Sequence, residues 1–370
     1  MSINVIIEPD YASTLWCKQY LEGIYIECEL NNALVHIVDI NNFVNNDQNL
    51  STTHVLLIGT SISWIPQSVA LLSEQKTHCI LLAYGHSMIP ERASSIIMDY
   101  KQAIGSLMQY LASHGKNRIS LFGINPDSSN DRQKYQAFIQ QAYSNGATEP
   151  DKNVFWNHGR LQDSCLQFYK VSNQYDAVIG ANDAASIVLI NYLKRKGVQS
   201  PDDLYVTGIG DTTIARMVRP TITTAKLDYI EAGKKAVQIY NFLQKYPGLT
   251  SLTATINCNI LVGESTANQP IDNWTEHKSI IEKSNPVPFY NDPDVVDVLN
   301  IEYFISRCDD IDVNILKGIA KNMKYFDLAD ELHISENTVK YRVKRMLGHA
   351  NLESREQLID LLLKYFNWNE

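Results

Sequence analysis

The chain between Asp327 and Met346 is rich in residue types that contact DNA. If residues 336–346 are helical, one group lies on the side opposite Val339: Asn337, Lys340, Tyr341, Lys344 and Arg345. Asn can bond an adenine edge in a bidentate way, Lys and Arg reach guanine or phosphate, and Tyr can reach phosphate. We therefore expect this face, with Thr338 at its flank, to bind double-stranded DNA.

A short helix and a tight turn must hold that face outward. Leu328 and Leu332 lie one helical turn apart, and the small Ala329 allows a second helix to cross closely. Ile334 is apolar and fits the corner, and Ser335 has the side chain of an N-cap. The helix that follows has an apolar stripe at i, i+4, i+7 and i+8: Val339, Val343, Met346 and Leu347. The pattern predicts a helix-turn-helix.

This segment resembles the LuxR/GerE type of helix-turn-helix over about residues 311–367. The matching residues are Leu328-Ala329, Leu332, Ile334-Ser335, Thr338-Val339-Lys340, Ser354-Arg355 and Leu358. Two positions depart from the family: Asp312-Val-Asn-Ile-Leu replaces its opening run, and Met346-Leu347-Gly348 follows the second helix. The resemblance implies DNA binding.

A last helix is predicted over about residues 354–366. Ser354 and Gln357 have the spacing of a capping box. The helix is apolar on more than one face, through Leu358, Ile359, Leu361, Leu362 and Tyr365. One face must cover the domain core. The surplus either packs within the same domain or pairs with a second copy, and the resemblance implies the second arrangement, a homodimer.

Charge limits how this domain can bind DNA. The chain of 370 residues has a net charge of −9, but residues 311–370 hold nine basic and nine acidic residues and are neutral. Binding must come from local placement of Lys340, Arg342, Lys344 and Arg345 against Glu336 alone. We expect modest affinity for one copy and a strong dependence on salt.

The composition favours a cytoplasmic protein of two or three domains. Hydrophobic residues make up 45% of the chain, yet no apolar run approaches the ~20 residues of a membrane span. The start, Met1-Ser-Ile-Asn-Val-Ile-Ile-Glu, has neither the basic region nor the apolar segment of a signal peptide. The six cysteines form no CxxC pair and no zinc-type spacing with His, so no metal and no cofactor are expected.

Residues 3–266 alternate short apolar runs with helical patterns, which predicts an α/β fold with parallel sheets. The predicted strands are Ile3–Ile7, Leu34–Val38, His54–Ile58, Cys79–Ala83, Arg118–Phe122, Asp176–Ile179 and Leu204–Thr207. Gly208-Ile-Gly210-Asp211 predicts a turn. The motifs of nucleotide-binding loops, zinc proteases and serine hydrolases are absent from the sequence, so we do not expect an enzyme.

Four runs in this half resemble, in the correct order, the LacI/GalR repressor and periplasmic-binding-protein core. They are residues 99–123, 131–138, 176–211 and 219–240. The resemblance implies two α/β lobes with a ligand cleft between them, joined by crossovers near residues 114, 223 and 249. Lobe 1 would span about 1–113 and 224–248, and lobe 2 about 114–223 and 249–266.

The same resemblance implies the residues that would contact a small-molecule effector. They are Tyr11, Arg132, Trp156, Asn182 and Asp211. Arg132 offers a planar fork of donors, and the Asn182 amide both donates and accepts. Asp183 is expected to cap the helix that follows. Gly210 stands where the family has a ligand-binding aspartate, which removes a strong acceptor for sugar hydroxyls.

The domain order is therefore a two-lobed sensor at 1–266, a linker at 267–308 and a helix-turn-helix domain at 309–370. The favoured hypothesis is a ligand-responsive transcription regulator that binds a sugar or similar small polar metabolite. Three alternatives remain: a solute-binding protein for transport, a sensor whose effector is a protein, and an enzyme without a recognisable motif. The identity of the effector, the operator and the direction of regulation do not follow from the sequence.

Overall fold

The computed structural model describes residues 2–45, 53–84, 93–266, 291–350 and 352–366. The strands are β1 Ser2–Ile7, β2 Leu34–Val38, β3 His54–Ile58, β4 His78–Leu82, β5 Ser94–Met98, β6 Ile119–Ile124, β7 Val154–Trp156, β8 Ala177–Gly180, β9 Tyr205–Gly210, β10 Thr223–Lys226, β11 Thr253–Ile256 and β12 Asn259–Leu261. The helices are α1 Leu15–Leu30, α2 Ile40–Val44, α3 Trp64–Glu74, α4 Tyr100–Ser113, α5 Ser129–Ser144, α6 Leu161–Tyr169, α7 Asp183–Lys194, α8 Tyr229–Lys245, α9 Pro293–Ile305, α10 Asp310–Ala320, α11 Tyr325–Glu331, α12 Glu336–Ala350 and α13 Arg355–Tyr365.

The strands form two six-stranded sheets, which confirms the α/β prediction. Their orders are β11-β5-β4-β3-β1-β2 and β12-β10-β9-β8-β6-β7. The pairs β1–β2, β1–β3, β3–β4 and β8–β9 are parallel. Central strands such as β3 are buried on both faces, which explains why they appear in the sequence as continuous apolar runs. All seven predicted strands are present, whereas β5, β7, β10, β11 and β12 were not predicted because they are short or contain polar residues.

Between residues 93 and 266, all of which the structure describes, the chain crosses between the sheets three times. The first crossing, after α4, lies where it was predicted near residue 114. The third was predicted near residue 249, but β11 pairs in parallel with β5 in the first sheet, through Thr253 with Ser95 and Ile256 with Met98. The last crossing therefore follows Ile256, because β11 is a further strand of the first sheet.

Two glycines allow α1 and α8 to cross in close contact. A Cβ atom on Gly23 would lie 2.0 Å from the carbonyl oxygen of Ile230, and one on Gly233 would lie 2.2 Å from that of Tyr20. Any larger residue would require the helix backbones to separate. Helix α8 thus packs against α1 and against strands β3, β4 and β5 of the first sheet, although it begins about 200 residues after α1 ends.

The chain forms two compact units. Unit 1 comprises residues 1–114, 119–158 and 225–260, and unit 2 comprises residues 115–118, 159–224 and 261–370. Much of the expected linker, residues 267–290, lies outside the described residues. Its helical part is α9, which packs against α6 and α7 within unit 2. This packing makes α9 part of a folded body.

The C-terminal helices α10 to α13 form a small all-α domain within unit 2. Its buried core includes Val339, Val343 and Met346 of α12 with Leu358 and Leu362 of α13. Between α11 and α12 the chain turns at His333, whose φ of 54° is in the left-handed region. The Ile334 N–H donates to the Ala329 carbonyl at 3.0 Å, which closes a Schellman turn. The predicted helix-turn-helix is confirmed.

Candidate functional site

Helix α12 begins after a turn and a serine N-cap, as the sequence predicts. The Ser335 hydroxyl accepts the Thr338 N–H at 3.0 Å, and α12 begins at the next residue, Glu336. Asn337, Lys340, Tyr341 and Lys344 are exposed, and Tyr341 retains 68% of its accessible surface. Thr338 is half-buried, with its hydroxyl 2.8 Å from that of Ser335. The face of α12 that carries Asn337, Lys340, Tyr341 and Lys344 is therefore exposed and accessible to a DNA groove.

The Arg345 side chain is held by Asp312, contrary to the sequence expectation that it is presented to DNA. Its side chain is 35% exposed, and its Nη2 donates to the Asp312 carboxylate. Arg342 joins the same cluster, with Nη1 2.8 Å from Asp312 Oδ1 and 2.8 Å from Asp309 Oδ2. Asp312 is fully buried, so its charge requires such partners. Two of the four cations expected to act on DNA are thus neutralised inside the domain.

The two remaining cations of α12 differ in their surroundings. Lys340 Nζ lies 2.7 Å from Glu336 Oε1, one turn earlier in the helix. Lys344 forms no ion pair with any residue that the structure describes. A surface pair is weak and a phosphate can replace the glutamate, but Lys344 needs no exchange of partner. Lys344 is the cation best prepared for a phosphate.

Asp309 and Asp312 hold the start of α10 through a reciprocal capping box. The Asp309 carboxylate accepts the Asp312 N–H at 2.8 Å, and the Asp312 carboxylate accepts the Asp309 N–H at 3.3 Å. The hydrogen bond from Arg342 and the capped backbone N–H hold the pKa of Asp309 below its ordinary value. The same two carboxylates therefore cap α10 and fix two arginines of α12.

The last helix is capped in a modified way. Ser354 accepts the Gln357 N–H at 3.3 Å as predicted, but the Gln357 side chain accepts from the Glu353 N–H, at 2.8 Å. Leu358, Leu362 and Tyr365 are buried within the domain, and Ile359 and Leu361 are half-buried. Leu363 is 47% exposed and is the main apolar surface that α13 offers to solvent.

Three of the five predicted effector contacts lie in unit 1. Tyr11 follows β1 and is 6% exposed. Burial raises the pKa of its hydroxyl, a hydrogen bond with Ser61 opposes this, and the carboxylates of Glu8 and Asp131 raise the pKa further. The phenol is therefore neutral and acts as a hydrogen-bonding group.

Arg132 lies in the first turn of α5 and is half-buried. Its Nε donates to the Pro126 carbonyl at 2.6 Å, which fixes the guanidinium beside the loop that precedes α5. The neighbouring Asp131 forms a buried ion pair with Lys134, at 2.7 Å. The fixed plane of Arg132 leaves its terminal amines available as a fork of donors.

Trp156 ends β7 and is half-buried. Its ring centroid lies 4.9 Å from that of Tyr135 on α5 and 6.3 Å from that of His158, with the His158 ring tilted by only 25°. Trp156 therefore forms part of an aromatic cluster one turn beyond Arg132 along α5. The planar groups in this cluster suit the apolar face of a sugar.

A seam of hydroxyl groups beside Tyr11 was not predicted. Glu8, which is 3% exposed, accepts the Thr60 N–H at 2.9 Å and also binds the Ser61 hydroxyl. Thr60 Oγ1 lies 3.0 Å from Ser128 Oγ, and the Ser129 N–H donates to the Thr60 carbonyl at 2.8 Å. The only sequence signal was position: Glu8 follows β1, Thr60 and Ser61 follow β3, and Ser128 and Ser129 lie at the start of α5, where parallel sheets place ligands.

Asn182 and Asp211 lie in unit 2. The Asn182 side chain accepts the Ala185 N–H at 2.9 Å and is the N-cap of α7, a role that the sequence assigned to Asp183. Asp183 is instead fully buried. Its carboxylate accepts from the Thr212 N–H at 2.8 Å and from the Thr224 hydroxyl at 2.6 Å. Asp183 therefore positions the loop after β9.

Gly208 and Gly210, for which a turn was predicted, lie just before that loop, and the space and backbone conformation there explain why both are glycines. Residues 205–210 form β9, so the turn begins only at Asp211. A Cβ atom on Gly208 would lie 2.3 Å from Asp183 Oδ1, and Gly210 has a φ of 139°, which disfavours any side chain. The Asp211 carboxylate, 2% exposed, is paired with Arg216, whose Nε donates at 2.6 Å. An effector that uses Asp211 must share it with Arg216.

The described residues show no arrangement of three or more His, Cys, Asp or Glu side chains able to hold a metal ion. Within the same ranges no helix combines the length and apolarity needed to cross a membrane.

Comparisons with known proteins agree with both parts of the chain. Residues 108–266 match the family model of a periplasmic binding protein-like domain, and residues 312–362 match that of bacterial regulatory proteins of the luxR family. The chain thus combines a periplasmic-binding-protein-like domain, similar to that of LacI/GalR regulators, with a LuxR/GerE helix-turn-helix.

Individual proteins are similar to this chain in sequence or in fold, at low identity. The NTD biosynthesis operon regulator NtdR of Bacillus subtilis is 24% identical over 163 residues, 42% of this chain and 49% of that protein. A LacI-type regulator structure from Bacillus cereus has a TM-score of 0.64 at 14% identity and covers 73% of this chain and 99% of its own. A catabolite control protein from Weissella paramesenteroides, with bound sucrose, has a TM-score of 0.60 at 19% identity, covering 73% and 100%. The chain spans about half the length of the curated relatives that it matches.

Proposed function

We propose that this chain is a ligand-responsive transcription regulator that binds DNA through α12 and a small polar effector through its periplasmic-binding-protein-like domain. The observation that carries the proposal is the α12 face: Asn337, Lys340, Tyr341 and Lys344 are exposed after a serine-capped turn. Asn supplies base recognition and Lys344 supplies a phosphate contact. Regulation of this kind takes place in the cytoplasm, where bacterial DNA lies.

The effector is proposed to be a sugar or another polyhydroxylated metabolite. Three features support this class: the fixed guanidinium of Arg132, the aromatic cluster around Trp156, and the hydroxyl-rich seam beside Tyr11. The Weissella relative was solved with sucrose, which is a disaccharide of the same chemical class. Gly210 removes one acceptor, so the set of recognised hydroxyls differs from that implied by the family pattern.

The chain is proposed to act as a homodimer on DNA and not as an enzyme. One domain with a single unpaired lysine on its binding face makes few phosphate contacts, so two copies are needed for a stable complex. Two recognition helices about 34 Å apart would read two half-sites. The exposed Leu363 of α13 offers an apolar contact for the second copy.

The DNA interface is tested with a duplex selected from a random-sequence pool by the full-length protein. We expect Lys344→Ala to weaken binding and to lower the slope of log K against log salt by about 1, since one phosphate contact is lost. Lys340→Ala should weaken binding less, because Lys340 must first leave Glu336. Affinity is measured by gel-shift titration at several salt concentrations.

Lys317→Ala is the matched control, since Lys317 is exposed on α10 and lies outside the α12 face. It should bind like the wild type. Sedimentation of the complex should give two chains per duplex. Unchanged affinity in both the Lys340 and Lys344 variants would refute the assignment of this face to DNA.

A further inference from the structure

Helix α9 makes two buried contacts with the sensor part of unit 2 before it continues into the DNA-binding domain. Its N-cap residue, Asp292, is fully buried and accepts the Leu161 N–H at the start of α6 as well as the Asp294 N–H of its own helix. Near its other end Glu302 is 2% exposed. The two carboxylates are ten residues apart, about 15 Å along the helix.

Glu302 binds the loop that follows β9. Its Oε1 accepts the Thr213 N–H at 2.7 Å, and its Oε2 accepts the Ile214 N–H. Burial raises the pKa of Glu302, and the nearby Asp183 carboxylate acts in the same direction, whereas the two backbone N–H groups oppose both. A buried carboxylate that lost these donors would be left unsatisfied, so Glu302 and residues 213–214 must move together.

The same loop carries the predicted effector contact. Thr212 is bound by Asp183, and Asp211 is paired with Arg216 at the end of this short segment. A ligand that donates hydrogen bonds to the Asp211 carboxylate or displaces Arg216 must shift residues 211–214. Thr213 and Ile214 of this loop bind Glu302 directly, so a shift of the loop acts on Glu302 without an intermediate residue.

Helix α9 also contacts the DNA-binding domain. It packs against α12, and after Ile305 only four residues separate it from α10. The buried residues of α9 cover about half of the helix circumference, which is wide enough for two packing partners. They are Val295, Val298, Ile301, Glu302, Phe304 and Ile305. Unit 2 therefore contains a continuous path from the loop at 211–214 through Glu302 and α9 to α12.

We propose that α9 is the coupling element of this regulator, and that Glu302 is the positioning residue through which the loop at 211–214 sets the placement of α12. The proposal rests on the function proposed above. It assigns signal transfer to a helix packed in the structure, where the sequence suggested a linker.

Reciprocity between coupled sites gives a first test on the unmodified protein. Hydrogen exchange is measured on the full chain with and without the duplex selected from a random pool. We expect the duplex to slow amide exchange in peptides covering 211–216 as well as in those covering 336–350. Slowing at 336–350 alone would overturn the proposal.

A double-mutant cycle gives the second test and requires no known effector. Arg216→Gln frees Asp211 and disturbs the loop from an exposed position, since the Arg216 side chain is 59% exposed. We expect it to change the Kd for the selected duplex by about fivefold or more in the wild-type background. In the Glu302→Gln background, which weakens the link to residues 213–214, the same change should alter Kd by less than about twofold.

Asp297→Asn is the matched control background, because it removes an exposed carboxylate from the same helix whose surface ion pair with Lys364 is weak. There Arg216→Gln should retain its full effect. An equal effect of Arg216→Gln in the Glu302→Gln background, or no effect in the wild type, would refute the coupling. A wild-type protein that enriches no duplex would instead refute the proposed function, and if Glu302→Gln does not fold, the exchange experiment decides.

Discussion

At the scale of single residues, the DNA-binding domain depends on one buried charge. Asp312 is fully enclosed and receives both Arg342 and Arg345, while its own carboxylate and that of Asp309 cap α10. Removal of one partner from a buried ion cluster leaves the other charges unsatisfied. Asp312 therefore stabilises the domain and also reduces the positive charge that α12 presents to solvent.

We expect Asp312→Asn to destabilise the domain by about 2 kcal/mol, which is below the ~3–5 kcal/mol typical of a fully buried pair because the arginines are partly exposed. Urea unfolding followed by circular dichroism measures the change. Asp309→Asn is the control, since Asp309 is exposed and Arg342 keeps its contact with Asp312.

The pH dependence of stability tests the Asp309 contact with Arg342 separately. Because the pKa of Asp309 is lowered in the fold, its contribution is present above the ordinary value of 3.8 and is lost as the pH falls through the lowered value. The stability difference between wild type and Asp309→Asn should therefore shrink on acidification. A constant difference would contradict the role given to the Arg342 contact.

At the scale of elements, the close crossing of α1 and α8 fixes where the chain returns to the first sheet. Gly23 and Gly233 leave no room for a methyl group, because the obstructing atoms are backbone carbonyls that cannot rotate away. The two glycines therefore allow a contact within unit 1 between helices that are far apart in sequence.

Gly23→Ala should destabilise unit 1 by about 1–3 kcal/mol, the usual range for overpacking, because a Cβ atom would lie 2.0 Å from the Ile230 carbonyl oxygen. Gly105→Ala in α4 is the matched control. There the nearest atom is 3.8 Å away, so alanine should be neutral or stabilising by up to about 1 kcal/mol through its higher helix propensity. Thermal unfolding that ranks the two variants in the opposite order would rule out the tight crossing.

At the scale of the whole molecule, effector binding should stabilise the folded chain by mass action. A ligand at about a hundredfold excess over its Kd adds about 2.7 kcal/mol. We expect one class in a panel of sugars, amino acids and nucleosides to raise the Tm, with sugars favoured by the aromatic and hydroxyl-rich surroundings of Arg132.

Arg132→Met should remove most of this rise, whereas Arg195→Met, at an exposed arginine following α7, should leave it unchanged. Differential scanning fluorimetry gives both results. A panel with no stabilising member would favour a protein effector over a small molecule.

The sequence by itself determined the features that depend on neighbouring residues. Apolar runs predicted β1, β3, β4, β6, β8 and β9 because buried parallel strands need no alternation. An apolar run also predicted β2, although this strand lies at the edge of its sheet and is largely exposed. Ser335 and the stripe from Val339 predicted the start and the buried side of α12, because capping and helical periodicity act within a few residues.

Only the tertiary structure decided where charges are neutralised. Arg345 was expected at the DNA surface, but its partner Asp312 lies 33 residues earlier and becomes buried only when α10 and α12 pack together. Asp183 and Glu302 likewise find their partners in the loop after β9, which lies 29 and 89 residues away in sequence. The burial of a charge depends on every segment that surrounds it, so short sequence patterns do not predict it.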